Sequence, residues 1–227
     1  MLIYAAVSAA VGASVAMVLK PDKAALPHGF HDGLQMAAQH GFPPAMLFSL
    51  LLWIAFSLYW EAAAKSASDA KTSESSLSRG FHLTLISVSQ ILVLLPVPGL
   101  RARWLPWPTF GAVAGLAIQI AFFSLAIWAR QKLGRHWSGA VTTKVDHELI
   151  RTGPYRILRH PIYSALLGVY AGTALVSGEI RGLIGVALVC LAYWRKIRME
   201  EHYLGGLFGA EYAAYQQESW AIIPGLL

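Results

Sequence analysis

The side chains that could do chemistry fall in two short stretches of the second half of the chain. The first reads His147-Glu148-Leu149-Ile150-Arg151-Thr152-Gly153-Pro154-Tyr155-Arg156, followed by Arg159-His160-Pro161 and Tyr163. Gly153-Pro154 is a turn signal, and Pro161 suits the first turn of a helix, where its missing N–H costs nothing. Arg159 and His160 are therefore expected at a helix mouth, where free N–H groups and partial positive charge favour an anion. The second stretch holds Arg195, Arg198, Glu200 and Glu201 at the end of an apolar run. On a continuing helix Arg198 and Glu201 lie one turn apart on one face. Ionisable groups at the edge of hydrocarbon are costly and tend to be functional. Each arginine alone is also explained as an interface anchor, but the accompanying His, Tyr and Pro add nothing to anchoring.

The elements that position these residues are membrane helices. The chain has 227 residues, 56% hydrophobic and 13% charged, against roughly 25% charged in an average soluble domain. A span needs about 20 apolar residues. Runs at 2–19, 43–60, 81–95, 110–128, 162–176 and 183–193 predict an all-α integral membrane protein with six spans, or five if the first is peripheral. The last two are joined by residues 177–182 only, which predicts a helical hairpin whose polar ends bring His160 near Glu200 and Glu201. The spacings Gly111/Gly115 and Gly168/Gly172 allow close helix approach, within the chain or across a dimer face. Residues 1–130 are read as membrane helices and 131–227 as the catalytic region, ending in an amphipathic segment around Leu204 to Tyr215. The 62–78 connection reads as a mobile linker without chemistry.

The net charge of +6 invites a nucleic-acid partner, but the distribution of charge argues for the bilayer instead. With six spans, thirteen of the 18 Lys and Arg fall on the side that holds both termini. That asymmetry puts the catalytic segments on the cytoplasmic face of an inner membrane of bacterial type or its equivalent. Cys190, the one cysteine, gives no disulfide framework. His28, His31 and His40 lack metal-ligand spacing and cysteine partners, so no metal is expected.

As an ordered set, the motifs resemble the isoprenylcysteine carboxyl methyltransferases and their phospholipid methyltransferase relatives. The matching features are His147 to Ile150, the Gly153-Pro154-Tyr155-Arg156 turn, Arg159-His160-Pro161-x-Tyr163, Glu200-Glu201-x-x-Leu204, the Phe208 to Tyr215 run and Pro224. The preceding Leu133 to Ser138 is also similar. The likeness covers roughly the last 95 residues of the chain. It implies S-adenosylmethionine as methyl donor, with a lipophilic acceptor entering from the bilayer. It places His147, Leu149, Tyr155, Arg159, His160, Pro161 and Tyr163 at the cofactor, with Glu200 and Glu201 against the cofactor or the reacting group. One position departs: many members carry Arg shortly before the final Pro, where this chain has Ser219-Trp220-Ala221-Ile222-Ile223.

Methyl transfer from a sulfonium is an in-line displacement, so the enzyme mainly aligns the reactants and excludes water. Glutamates can pair with the cofactor's cations, and an arginine can hold its carboxylate. A carboxylate acceptor would want Arg195 or Arg198 and needs no base. An amine or thiol would want a base, Glu201 or His160. Two other readings remain at this stage: an NADPH-dependent reductase of the membrane sterol-reductase type, whose members also carry His-Pro-x-Tyr, and a non-enzymatic carrier. The second is disfavoured by the absence of internal repeats and of charges within the spans.

Overall fold

The computed structural model describes residues 43–64, 71–72, 74–134, 137, 142–143 and 148–225. The apolar run at 2–19, the histidines His28, His31 and His40, and His147 lie outside these residues. Six helices are described: α1 (Pro44–Ala64), α2 (Ser76–Leu94), α3 (Pro108–Leu133), α4 (Pro161–Ser177), α5 (Ile180–Phe208) and α6 (Ala210–Glu218). Two short strands, β1 (Lys71–Thr72) and β2 (Thr142–Thr143), pair antiparallel, and a 3-10 turn spans Gly153–Arg156.

Local sequence sets the boundaries. Ser75 caps α2, its side chain accepting from the Ser78 N–H at 3.2 Å. Pro108 and Pro161 open α3 and α4, a position where a missing donor is harmless. Gly178 takes a left-handed conformation to end α4. Only Glu179 then precedes α5, and the two helices pack on each other, with Gly182 against Ala174. α1, α2 and α3 are long and apolar enough to cross a membrane, while α4 has only 17 residues. α5 runs to 29 residues, far beyond the apolar run at 183–193. At 1.5 Å per residue it is about 43 Å long, so its polar second half extends the same rigid rod. The amphipathic segment expected around Leu204 to Tyr215 is two helices instead of one. Gly209, at a φ of +52°, breaks it between α5 and α6.

α3 and α4 approach so closely that a Cβ on Gly115 would lie 2.5 Å from the Gly172 carbonyl oxygen, and one on Gly111 2.5 Å from that of Leu175. The glycine spacings thus serve packing within the chain. Around this seam, buried polar groups are matched across helices. Trp53 donates to Thr173 at 3.0 Å, Ser49 to Gln119 at 2.9 Å and Tyr170 to Gln90 at 2.6 Å. Phe48, Leu51, Leu58, Val113 and Ile120 point outward, as suits a lipid-facing surface. One end of the bundle is closed by Arg181, which pairs with Glu179 and donates to the carbonyls of Leu92 and Val93. At the other end the starts of α2 and α4 meet the polar half of α5.

The 62–78 connection is not free of structure. Its β1 pairs with β2 of the segment before the 3-10 turn, and its Glu74 is bound to Lys196 of α5 at 2.6 Å. Gly115→Val should lower the unfolding temperature of the detergent-solubilised protein, because overpacking against backbone costs about 1–3 kcal/mol. Gly206→Ala, where a Cβ meets nothing within 4 Å, should leave it unchanged or slightly raised.

Candidate active site

The helix mouth read from Pro161 is the centre of the site. Arg159 and His160 end the segment leading into α4, and Tyr163 sits on its first turn. Across from them, the polar half of α5 presents Glu200 and Glu201 on consecutive residues. Arg159 Nε donates to Glu201 Oε1 at 2.9 Å, with the two side chains only 11% and 17% exposed. His160 Nε2 lies 3.4 Å from that same oxygen, and its Nδ1 lies 3.7 Å from Glu200 Oε2. Tyr163 donates its hydroxyl to Glu200 Oε1 at 2.6 Å. The His160 and Tyr163 rings stack 5.8 Å apart, and Tyr163 lies 5.0 Å from the ring of Tyr193. The two carboxylates are thus held by groups at the start of α4, Glu201 by Arg159 and Glu200 by Tyr163, with His160 beside both.

Electrostatics keep Glu201 ionised. Its partial burial alone would raise its pKa, but the close approach of His160 and the hydrogen bond and charge of Arg159 outweigh this and hold the carboxyl below its usual range. His160 Nε2, 3.4 Å from that carboxylate, is buried and makes no hydrogen bond of good geometry. An orphaned buried nitrogen is costly unless something completes it. The two carboxylates beside it are acceptors whose charge suits the sulfonium and ammonium groups of the cofactor that the motifs imply.

The chain's own C-terminal segment closes the back of the cluster. The N–H groups of Arg159 and His160 donate to the carbonyls of Trp220 and Ala221 at 2.8 and 3.0 Å. Trp220 N–H returns a bond to Ile157 at 2.9 Å, so residues 157–160 and 219–221 run side by side like parallel strands. These two donors, which precede the first turn of α4, are satisfied by backbone. Ser164 Oγ donates to Ile222 O at 2.6 Å, and Arg159 Nη1 donates to the carbonyls of Gln216 and Ser219. Tyr215, pushed up to about 12 by burial, keeps its proton and donates to Tyr155 O at 2.5 Å. Arg159, Gln216 and the 217–220 stretch line an open cavity of about 320 Å³.

The other candidates divide. Pro161 is buried in the first turn of α4, and Leu149 is half-buried upstream. Tyr155 is buried, with its carbonyl taken by Tyr215. Arg195 points away from the cluster, donating to Ser78 Oγ at 2.7 Å with its guanidinium over the Phe81 ring. Arg198 is exposed beside the ring of Trp194, 5.8 Å from its centroid. Among the described residues no group of His, Cys, Asp and Glu could hold a metal. Ser164, Tyr215 and Ser219 were not among the site residues read from sequence. Ser164 lies one turn beyond His160 on α4, and Tyr215 ends the Phe208 to Tyr215 motif; Tyr215 and Ser219 matter through contacts made 60 residues away in sequence.

Residues 110–211, from α3 into α6, match the family model "Phospholipid methyltransferase". Protein-S-isoprenylcysteine O-methyltransferase B of Arabidopsis thaliana is 30% identical over 168 residues, covering 71% of this chain and 82% of that protein. The A form of the same plant is 25% identical over 185 residues, covering 79% and 91%. A solved isoprenylcysteine carboxyl methyltransferase, described as a eukaryotic intramembrane Ras methyltransferase, superposes with a TM-score of 0.48 at 16% identity, covering 96% of this chain and 83% of that one. With the Arg-His-Pro-x-Tyr and Glu-Glu motifs facing each other inside the matched region, the chain belongs to the isoprenylcysteine carboxyl methyltransferase family and is a membrane methyltransferase.

Proposed function

We propose that this methyltransferase uses S-adenosylmethionine to methylate a carboxylate on a lipophilic, isoprenylcysteine-type acceptor held in the bilayer. The observation that carries the reading is the facing of Glu200 and Glu201 by Arg159, His160 and Tyr163. When bound, S-adenosylmethionine supplies an electrophilic methyl group on a sulfonium. Glu200 and Glu201 offer carboxylates to the cofactor's cations. Arg159 and His160 keep Glu201 ionised and aimed, Tyr163 orients Glu200, and the segment up to Ile222 keeps water from one side. Leu149, Tyr155 and Pro161 complete the cofactor wall in this reading, and the family motif adds His147, which lies outside the described residues. Arg198, exposed beside Trp194 at the edge of the apolar surface, is the arginine we assign to the acceptor carboxylate, with Arg195 bracing α5 against α2. The excess of Lys and Arg at this end supports a cytoplasmic site, and α4 and α5 cross as a hairpin in this reading, the last two of six spans, or of five if the first apolar run is peripheral.

A lipid amine is the second reading, favoured by the family model over 110–211. It would use Glu201 or His160 as base. Radiolabelled methyl transfer to a prenylcysteine and to phosphatidylethanolamine separates the two: a methyl ester releases its label in mild alkali, whereas an N-methyl product does not. We expect the alkali-labile product.

Calorimetric titration of the solubilised protein with S-adenosylhomocysteine should give saturable binding that His160→Ala abolishes, with NADPH silent. Binding of NADPH alone would overturn the cofactor assignment in favour of a reductase. Glu201→Gln should fold and lose turnover. Because the Glu201 pKa is depressed in the folded protein, its contribution to stability is complete above the ordinary glutamate value of about 4.3 and fades as pH falls below it. The difference in unfolding temperature between wild type and Glu201→Gln should therefore be constant from pH 7 to 5 and shrink at lower pH.

A further inference from the structure

A second set of buried charges lies one helical turn from the site. Lys196 of α5 is 3% exposed, and the carboxylate it meets, that of Glu74, is 1% exposed; Lys196 Nζ donates to Glu74 Oε2 at 2.6 Å. The other Glu74 oxygen accepts from Ser78 Oγ at 2.8 Å, and Ser78 Oγ accepts from Arg195 at 2.7 Å. His82, 3% exposed on the next turn of α2, has its ring 6.1 Å from that of Tyr193, which packs on Tyr163. Methyl transfer as described above uses neither Glu74 nor Lys196.

Lys196 stands four residues before Glu200 on the same helix, the spacing at which a lysine and a glutamate reach each other. A buried ammonium that loses its counter-ion takes the next carboxylate within reach, because an unpaired buried charge is strongly unfavourable. The carboxylate at that helical spacing is that of Glu200, which here serves Tyr163 and His160. We propose that Glu74 is a positioning residue for the reaction: by holding Lys196 toward α2, it keeps that ammonium off Glu200 and leaves Glu200 to Tyr163 and His160. The 62–78 connection thereby gains a role in the site through one carboxylate, while β1 and β2 fasten it to the segment that leads to the 3-10 turn. The proposal rests on Glu200 belonging to the cofactor cluster proposed above.

The test is a coupling measurement that needs no cofactor. Thermal unfolding of Tyr163→Phe, Glu200→Gln and the double variant should show non-additive shifts in the wild-type background. The non-additivity should vanish in Glu74→Gln, where Lys196 is released, and return in Glu74→Gln with Lys196→Met, where there is no ammonium to capture Glu200. Glu74→Asp, which keeps the charge, should behave as wild type. Affinity for S-adenosylhomocysteine should follow the same order, falling about tenfold or more in Glu74→Gln and recovering when Lys196→Met is added. Coupling that persists in Glu74→Gln, or a double variant no better than Glu74→Gln, would overturn the proposal. So would a Glu74→Gln chain that fails to fold even with Lys196→Met added, since the pair would then hold the fold itself. If the wild type bound no S-adenosylhomocysteine while the coupling followed the expected pattern, the cofactor assignment would fail and the positioning role would stand.

Discussion

Arg159 and Glu201 meet at 2.9 Å with little exposure to solvent, and most of the site is arranged around that contact. Ion pairs out of water are poor sources of stability, since desolvation offsets much of the attraction, yet losing one partner costs about 3–5 kcal/mol. Such a pair persists where every remaining donor and acceptor is satisfied. Here the second arginine nitrogen bonds the carbonyls of Gln216 and Ser219, and Glu201 also faces His160. The contact thus ties three parts of the chain, the start of α4, the polar half of α5 and the C-terminal segment, into one geometry. Shift any of them and the others lose partners.

That dependence explains the length and rigidity of α5. A helix that stopped at the end of its apolar run would leave Glu200 and Glu201 on a loop. By continuing without interruption to Phe208, it carries the packing of its first half directly into the site. Glycine seams fix the neighbours: Gly115 against Gly172 locks α3 to α4, and Gly185 against Ser89 locks α5 to α2, with Ser89 donating to the Gly185 carbonyl at 2.5 Å. In lipid, where apolar burial does not drive helices together, close backbone approach and matched polar groups supply that attachment. The far end, closed by Arg181 and Glu179, fixes the level at which α5 begins.

The site also shows why the C-terminal segment cannot be read as a tail. Its backbone satisfies the N–H groups of Arg159 and His160 and so fixes the approach of the chain into α4, on which the placing of both side chains depends.

Much of this was present in the amino-acid order. Hydropathy marked α1, α2 and α3, because a bilayer demands long apolar runs whatever the fold. Pro161 marked the start of α4, and the pairing of Arg159-His160 with Glu200-Glu201 followed from a connection too short to let α4 and α5 separate. Side-chain types narrowed the candidates for chemistry, since only 13% of this apolar chain is charged. Tertiary structure decided the rest. The sequence gives no hint that Arg195 turns to Ser78 while Arg159 turns to Glu201, because both are arginines at a helix edge and only the packing of α2 and the C-terminal segment distinguishes them. Nor does it show Glu74 reaching Lys196 across 122 residues, or Tyr215 reaching Tyr155. Local propensity and periodicity act over a few residues; which distant charge meets which is settled by how the helices pack, and that packing is where one glutamate becomes part of the site and another its support.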